Sequence, residues 1–321
     1  MDPVVVRQLT KTYPGGIQAV RGTSFEVHPG EVFGLLGPNG AGKTTTIGVL
    51  TTVVMPTGGT ALVGGHDVVA EPLAARGSIG VVFQDCVLDN DFSGEANLRL
   101  HARLWGVPDA TARIAALLDA VGLTDRARDT VRSYSGGMRR RLEIARALMA
   151  RPSVLFLDEP TLGLDPIVRQ ELWHTISHLR EREQLTVMLS THYLEEAESV
   201  CDRVAIMHRG QLVAVASPRE LIERVGRQTL ELRVEGDPSD LVAALRALGP
   251  SVGEPILAGG AVSLACSDAP EALTARVNAL APSTLGVRTM TVRPTTLNDV
   301  FLILTSRATP EAERAPVEAL A

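Results

Sequence analysis

The strongest constraint in the sequence is a glycine-rich loop that joins an apolar strand to a helix. Residues 37–45 read GPNGAGKTT and directly follow the nearly continuous apolar run of residues 31–36. The loop contains the pattern G-x-x-x-x-G-K-[ST]. In this pattern the glycines let the backbone wrap a phosphate, and the helix N-terminus adds positive potential. A strand, a glycine-rich turn and a helix in this order predict a phosphate-binding unit of an α/β fold.

Two residues of this loop carry specific chemistry. Lys43 is one of only two lysines in a chain whose other basic residues are arginines, so its compact ammonium is a notable choice. We predict that Lys43 reaches the β- and γ-phosphates of a nucleotide and that the Thr44 hydroxyl ligates Mg²⁺. A chance glycine-rich turn is the competing interpretation. The candidate nucleotide-binding residues here are Gly37, Pro38, Asn39, Gly40, Ala41, Gly42, Lys43, Thr44 and Thr45.

A second apolar run ends in two carboxylates. Residues 154–157 read VLFL, and Asp158 and Glu159 follow directly. Ligands of open α/β sheets bind at the carboxyl ends of the strands, which is where these acids fall. We predict that Asp158 belongs to the Mg²⁺ shell, typically through water, and that Glu159 is the base that polarises the attacking water. A pair of helix-capping acids is the alternative for this motif alone.

A third motif goes beyond nucleotide hydrolysis in general. Residues 134–138 read YSGGM and stand at the start of a predicted helix over residues 138–149. Ser135 and Gly137 therefore form a second anion site of the helix N-terminus kind. Two such sites in one chain, with one triphosphate to share, suggest a composite pocket. An ordinary serine N-cap beside two flexible glycines is the alternative for this stretch alone.

This stretch resembles the signature motif of ATP-binding cassette (ABC) proteins. The usual form begins LSGGQ, and Tyr134 and Met138 depart from it. The resemblance implies that the signature of one protomer closes on the ATP of a second copy, in a head-to-tail homodimer. The signature residues that would bind ATP are Ser135, Gly136 and Gly137.

Further positions match the motifs of the family in the family's order. The resemblance implies that Gln84 contacts Mg²⁺ or the attacking water, that His192 contacts the γ-phosphate, and that Tyr13 stacks on adenine. Residues 163–165 match the loop that crosses the dimer interface. Taken alone, the histidine is more often structural and the tyrosine more often packing. The predicted catalytic residues are Glu159, His192, Gln84 and Lys43, and the predicted metal ligands are Thr44, Gln84 and Asp158.

The chain divides into three predicted parts. Residues 1–226 form the ABC cassette of a P-loop NTPase, an α/β fold with a mostly parallel sheet covered on both faces and a helical subdomain at about residues 85–133. Residues 227–305 follow the order β-α-β-β-α-β, with the second helix at 271–280, and predict a small ferredoxin-like α+β domain of accessory or regulatory role. We expect residues 306–321 to be a disordered tail.

Composition limits the partners and the compartment. The chain has 31 Lys plus Arg against 37 Asp plus Glu, a net charge of -6, which argues against a dedicated nucleic-acid binder. Its cysteines, Cys86, Cys201 and Cys266, are far apart and form no CxxC pair, as expected of free thiols in a reducing cytoplasm. No stretch approaches the ~20 apolar residues of a membrane-spanning helix, and the N-terminus lacks the pattern of a signal peptide.

The resemblance extends to daunorubicin-resistance-type drug exporters at residues 134–149 and 294–301. It implies an ATPase on the cytoplasmic face of the cell membrane that drives efflux of a drug, lipid or other hydrophobic compound through a separate ABC type-2 permease. Three alternatives stay open: an importer ATPase, a soluble ABC ATPase that acts on ribosomes or DNA, and a non-catalytic regulatory module. The single cassette and the intact motifs argue against the last two. The cargo stays open as well.

Overall fold

The computed structural model describes residues 1–235, 237–247, 254–258, 260–266 and 287–307. The strands are β1 (Val4–Tyr13), β2 (Ile17–Val27), β3 (Val32–Leu36), β4 (Gly58–Val63), β5 (His66–Asp67), β6 (Ile79–Val82), β7 (Val154–Asp158), β8 (Thr186–Thr191), β9 (Arg203–His208), β10 (Gln211–Ala216), β11 (Gln228–Val234), β12 (Ile256–Ala258), β13 (Ala261–Cys266) and β14 (Val287–Pro294).

The α-helices of the described part are α1 (Lys43–Leu50), α2 (Pro72–Gly77), α3 (Gly94–Leu104), α4 (Ala110–Ala120), α5 (Gly136–Ala147), α6 (Pro166–Glu183), α7 (Leu194–Val200), α8 (Pro218–Val225), α9 (Pro238–Ala247) and α10 (Leu297–Arg307). None of these described helices combines the length and the apolar character needed to cross a bilayer. The chain forms two compact units. The first comprises Met1–Tyr193 and Val200–Val215, and the second comprises Leu194–Ser199 and Ala216–Ala321.

A six-stranded sheet with the order β10-β9-β3-β8-β7-β6 organises the first unit. β3 pairs in parallel with β8 and β9, and β7 pairs in parallel with β6 and β8. Every residue of β3, β7 and β8 is buried, as expected of strands covered on both faces, which read as continuous apolar runs. The predicted mostly parallel sheet is present. Its parallel strands place the loops after β3, β7 and β8 at one edge.

A separate antiparallel sheet with the order β2-β1-β4-β5 was missed by the sequence analysis. The apolar pattern of the sequence indicates only short strands at residues 4–6 and 23–27, which lie within β1 and β2. The reason lies in β1, whose pairing with β2 shifts register between Val6 and Leu9. Gln8, inside this irregular stretch, has a left-handed φ of 48°. These irregularities interrupt the period-two alternation by which a strand is recognised.

One apolar core joins the two sheets of the first unit. The rings of Phe25 on β2 and Phe33 on β3 stack with centroids 5.4 Å apart and planes inclined by 9°. Buried residues of α1 and β7, among them Ile47 and Phe156, belong to the same cluster. Rings stacked in this way add to the burial of their large apolar area. The helix that follows the phosphate-binding loop is therefore anchored to both sheets.

The stretch predicted as a helical subdomain contains α3 and α4, followed by short 3₁₀ turns at Thr124–Arg126 and Val131–Ser133. Ser93 caps α3 by accepting a hydrogen bond from the Ala96 amide. Arg113 of α4 is only 6% exposed. Its guanidinium lies 2.7 Å from a carboxylate oxygen of Glu183 and donates a 2.6 Å hydrogen bond to the Leu148 carbonyl. This buried arginine ties α4 to the ends of α5 and α6.

The second unit contains a sheet with the order β12-β13-β11-β14 and antiparallel pairing throughout. The chain runs β11, α9, β12, β13 and later β14, in agreement with the predicted order. The predicted helix at 271–280 and residues 308–321 of the predicted tail lie outside the described residues. α10 continues through Arg307, two residues into the predicted tail. The predicted domain boundary at residues 226 and 227 stays a prediction.

A buried carboxylate organises the link between β14 and α10 in this unit. Asp299 is 5% exposed. It accepts two hydrogen bonds of 2.7 and 2.8 Å from the Arg293 guanidinium and two more from the amide and hydroxyl of Thr296. Burial by itself would raise the pKa of Asp299, but these donors together lower it below its ordinary value.

The first prediction concerns the pH dependence of stability. Because the pKa of Asp299 is lower in the folded chain, its contribution is present above the unfolded pKa and is lost as the pH falls through the folded pKa. We expect Asp299→Asn to lower the free energy of unfolding by about 2 kcal/mol at pH 7. The effect should be smaller at pH 3, which is below the ordinary pKa of an aspartate. Urea unfolding of the full chain at both pH values measures it. Asp240→Asn, at an exposed carboxylate of α9, is the control.

Candidate nucleotide-binding and hydrolysis site

A cleft of about 500 Å³ lies at the carboxyl edge of the parallel strands. It brings together the loops after β3, β6, β7 and β8, the end of β1 and the start of β2. Cleft-lining residues include Tyr13, Ile17, Gln18, Ala19, Pro38, Asn39, Gly40, Ala41, Gly42, Lys43, Thr44, Thr45, Gln84, Glu159, Leu162 and His192. Most of the predicted site residues therefore face one space.

The loop between β3 and α1 leaves no room for side chains at two of its glycines. A Cβ atom on Gly42 would lie 2.3 Å from the Ala19 carbonyl oxygen, and one on Gly37 would lie 2.4 Å from the Met207 carbonyl oxygen. Both glycines also have positive φ, 104° and 154°. No side chain caps α1 at Gly42. A backbone cradle at an uncapped helix N-terminus suits a phosphate, because it offers N–H donors and positive potential.

Lys43 links this loop to the acidic strand end. Its side chain is 5% exposed, and its ammonium donates hydrogen bonds of 2.8 Å to the Gly37 carbonyl and 3.3 Å to the Pro38 carbonyl. The same nitrogen lies 3.5 Å from Oε1 of Glu159. A buried ammonium needs several partners of this kind, since burial of a charge is costly without them. Lys43 is therefore held at the point where the loop and the carboxylate meet.

Glu159 lies directly after β7 in an unusual backbone conformation. Its φ is 49°, in the left-handed region that costs a residue with a side chain free energy and that is common at functional sites. The carboxylate is buried, and its Oε2 lies 2.8 Å from Nδ1 of His192, which follows β8. The carboxylate is thus held between His192 on one oxygen and Lys43 on the other.

Ser190 positions both acids, and the sequence analysis missed it. Its hydroxyl donates to the carboxylate of Asp158, which is buried at the end of β7. Its carbonyl and hydroxyl oxygens both accept from the Glu159 amide, at 3.1 and 3.2 Å. The sequence feature that could have indicated Ser190 is its hydroxyl near the end of an apolar run, β8. Asp158 does not line the cleft, but it is one residue from Glu159, which does.

Tyr13 and Gln84 both line the cleft. Tyr13 ends β1, and its hydroxyl lies 3.4 Å from Oγ1 of Thr45. The Lys11 ammonium lies 5.0 Å from the centre of the Tyr13 ring, in cation–π range. Gln84 follows β6 and is exposed, as is Thr44 in the loop. The cleft therefore offers a planar ring, an amide and a hydroxyl along one lining.

The signature residues lie elsewhere. Ser135 is the N-cap of α5 and accepts a 3.2 Å hydrogen bond from the Met138 amide, so the alternative of an N-cap describes its contact within this chain. Ser135 and Gly136 are exposed. A Cβ atom on Gly137 would lie 2.4 Å from Val168 of α6, so this glycine has a packing role. None of the three lines the cleft formed by the phosphate-binding loop.

A phosphate cradle, an acidic strand end and a histidine at the edge of a parallel sheet define a P-loop nucleotide-binding protein. Residues 20–162 match the family model described as ABC transporter. The chain is also 39% identical over 323 residues to the daunorubicin/doxorubicin resistance ATP-binding protein DrrA of Streptomyces peucetius, an alignment that covers 97% of this chain and 94% of that protein. This chain belongs to the ABC transporter family and is an ATP-binding ATPase subunit.

Other relatives agree with this assignment. The doxorubicin resistance ATP-binding protein DrrA of Mycobacterium tuberculosis is 45% identical over 249 residues, covering 77% of this chain and 75% of that one. The Nod factor export ATP-binding protein I of Ralstonia nicotianae is 40% identical, covering 94% and 93%. Among solved structures, cbiO1 from Clostridium perfringens, part of the ABC transporter complex cbiONQ, superposes with a TM-score of 0.65 at 27% identity, covering 70% and 94%.

The second prediction tests the backbone cradle. We expect Gly42→Ala to weaken ATP binding roughly tenfold or more, about 1.4 kcal/mol, because the new methyl group overlaps the Ala19 carbonyl and displaces the loop. Titration with a fluorescent ATP analogue measures the affinity. Gly30→Ala is the matched control, since Gly30 also has a positive φ of 73° but nothing within 4 Å of the added atom. Equal losses in the two variants would show that backbone strain, and not closure of the cradle, is responsible.

Proposed function

We propose that this chain is the ATP-hydrolysing subunit of an exporter and drives efflux of a drug, lipid or other hydrophobic compound through a separate membrane permease. The observation that carries the catalytic part is the Glu159 carboxylate, held between His192 and Lys43 beside the phosphate cradle. The printed names of the relatives, which include drug resistance and Nod factor export, favour export. An importer ATPase would hydrolyse ATP at the same kind of site.

ATP binding in this proposal uses the loop of residues 37–45. Backbone amides and Lys43 bind the phosphates, and the Tyr13 ring stacks on adenine. Thr44, Gln84 and Asp158 would hold Mg²⁺, and their hydroxyl, amide and carboxylate oxygens are the hard ligands that this ion prefers. When bound, Mg²⁺ neutralises charge on the phosphates.

Hydrolysis in this proposal depends on competition for two donors. Lys43 and His192 both contact the Glu159 carboxylate, and both are proposed to bind the γ-phosphate. ATP binding would therefore draw these donors from the carboxylate to the phosphate. A carboxylate oxygen released in this way can accept a proton from the attacking water. Lys43 and His192 then stabilise the charge of the transition state.

The proposed working unit is a head-to-tail homodimer. Cassettes of this family dimerise and work with membrane permeases. In this chain Ser135 and Gly136 are exposed at the N-terminus of α5 and do not line the cleft of the same chain. The N-terminus of α5, with Gly137, is therefore proposed to bind the γ-phosphate of an ATP molecule that is held in the cleft of a second copy. ATP would join the copies, and loss of its γ-phosphate would separate them.

The proposed permease contact is the segment at residues 85–133. This segment exposes large apolar side chains, with Leu104 75% and Trp105 43% exposed at the end of α3. Large apolar side chains that are exposed in this way favour a contact with the surface of another protein. We place a type-2 permease here, with the chain peripheral on the cytoplasmic face of the membrane and without a nucleic-acid partner.

The third prediction tests the base. We expect Glu159→Gln to reduce steady-state ATP turnover by about 10²-fold or more while ATP binding survives, because the amide cannot accept the proton. Lys43→Ala should weaken nucleotide binding itself. Phosphate release and equilibrium binding separate the two effects. Glu171→Gln, at an exposed residue of α6, controls for the change in charge. Turnover near that of the wild type in Glu159→Gln would mean that the base is assigned wrongly.

The fourth prediction tests the composite site. In a Glu159→Gln background with Cys86, Cys201 and Cys266 replaced by serine, one preparation carries Asn39→Cys and another carries Ser135→Cys. We expect oxidation of the mixture to give a disulfide-linked dimer on denaturing gels, and ATP to increase its yield, because the two positions meet only between copies.

Neither preparation alone should link as strongly. A chain that carries both cysteines and links within itself would contradict the composite site, since one copy would then enclose its own nucleotide.

A further inference from the structure

We propose that Arg140, on α5, is a positioning residue that holds the backbone of Glu159 and the segment around Gln84 in working geometry. Glu143 is its charged partner on the same helix. The inference rests on the proposed function, because it takes Glu159 as the catalytic base. Arg140 does not itself line the cleft, so it acts through residues that do, among them Glu159.

The guanidinium of Arg140 is 7% exposed and donates to three backbone carbonyls. Nε donates to Pro160 at 2.8 Å, and Nη2 donates to Glu159 at 3.1 Å. Nη1 donates to Phe83 at 2.6 Å, one residue before Gln84. Arginine presents its donors in a fixed planar arrangement. These bonds therefore fix the distance between the segment after β6 and the segment after β7.

Glu143 completes the connection from the same helix. It is 2% exposed, and its Oε2 lies 3.0 Å from Nη1 of Arg140. Its Oε1 accepts a 3.0 Å hydrogen bond from the Val87 amide. Arg140 therefore holds the carbonyl of Phe83, and Glu143 holds the amide of Val87. The segment that contains Gln84 is tied to α5 on both of its sides.

The orientation of Glu159 depends on these backbone contacts. Its left-handed conformation is disfavoured for a residue with a side chain and persists only where the surroundings enforce it. Ser190 holds its amide, and Arg140 holds its carbonyl and the next carbonyl along the chain. Without Arg140 three backbone carbonyls, two of them buried, lose a charged donor, and the buried Glu143 loses an ion-pair partner, which is costly in the interior. The Glu159 side chain would then lose its fixed direction.

The same helix is capped by Ser135, the residue proposed to bind the partner's ATP. α5 runs from Gly136 to Ala147, so Arg140 and Glu143 lie one to two turns from that end. A displacement of α5 at its N-terminus therefore moves the supports of Glu159 and Gln84 together. Binding of the partner's ATP at the N-terminus of α5 is therefore coupled to the orientation of Glu159 in the same chain.

The test compares Arg140→Gln with Arg113→Gln, which removes another buried arginine. Arg113 is similarly buried, ion-paired with Glu183, and donates to Leu148 at the far end of α5. We expect both variants to lower the melting temperature, but only Arg140→Gln to reduce kcat, by tenfold or more, with the ATP affinity within about threefold. Arg140→Lys should rescue kcat in part, because lysine restores the charge but not the planar arrangement of donors.

A second readout asks whether Arg140 acts through Glu159. In single-turnover hydrolysis we expect Arg140→Gln to change the residual rate of Glu159→Gln protein by less than about twofold, since effects on one unit do not multiply. Glu143→Gln, which retains an acceptor for Val87 but loses the charge, should reduce kcat less than Arg140→Gln.

The outcomes separate this inference from the proposed function. If Glu159→Gln keeps turnover, the proposed base fails. If Glu159→Gln loses turnover while Arg140→Gln, measured below its melting temperature, matches Arg113→Gln in kcat, only the positioning role fails. The positioning role would also be overturned if Arg140→Gln and Glu159→Gln reduced the single-turnover rate by factors that multiply in the double variant.

Discussion

Parallel pairing of three fully buried strands is the constraint on which the rest of this structure depends. β3 pairs with β8, and β8 pairs with β7, so the carboxyl ends of all three lie at one edge. Lys43, Glu159 and His192 follow these strands and meet there, although they are far apart in sequence. Because the strands are covered on both faces, polar groups can stand only at their ends. This arrangement explains why most of the predicted site residues lie at one edge of the sheet.

Backbone geometry at that edge is maintained by groups from neighbouring elements. Gly42 has no room for a side chain because the Ala19 carbonyl occupies the space, and Glu159 keeps a left-handed φ of 49° with Ser190 on its amide and Arg140 on its carbonyl. Each support comes from a different element: the start of β2, the end of β8 and the helix α5. A few strained backbone positions therefore lower the stability of the fold, and the buried sheet and its core offset this cost.

Sequence reasoning worked best where function and local structure share one pattern. Residues 37–45 combine a strand end, a loop and a helix start, so the phosphate cradle could be predicted from a single stretch. It worked less well for the sheet of β1, β2, β4 and β5, because the irregular pairing near Gln8 interrupts the alternation. Ser135 shows a third case. The motif predicted that Ser135 lies at the start of a helix, and the structure has it as the N-cap of α5. Its role toward a second copy stays a proposal.

The sequence by itself determined the phosphate-binding loop, the acidic end of β7 and the order of the described elements β11, α9, β12, β13 and β14 in the second unit. These are local features, written in consecutive residues with their own periodicity or steric demand. Only the tertiary structure decided that Ser190 holds both acids and that Arg140 bridges the segments beside Gln84 and Glu159. Those contacts join residues separated by 31, 57 and 19 positions. A buried hydroxyl or guanidinium takes its partners from the packing of distant segments, and no pattern in its own neighbours specifies them.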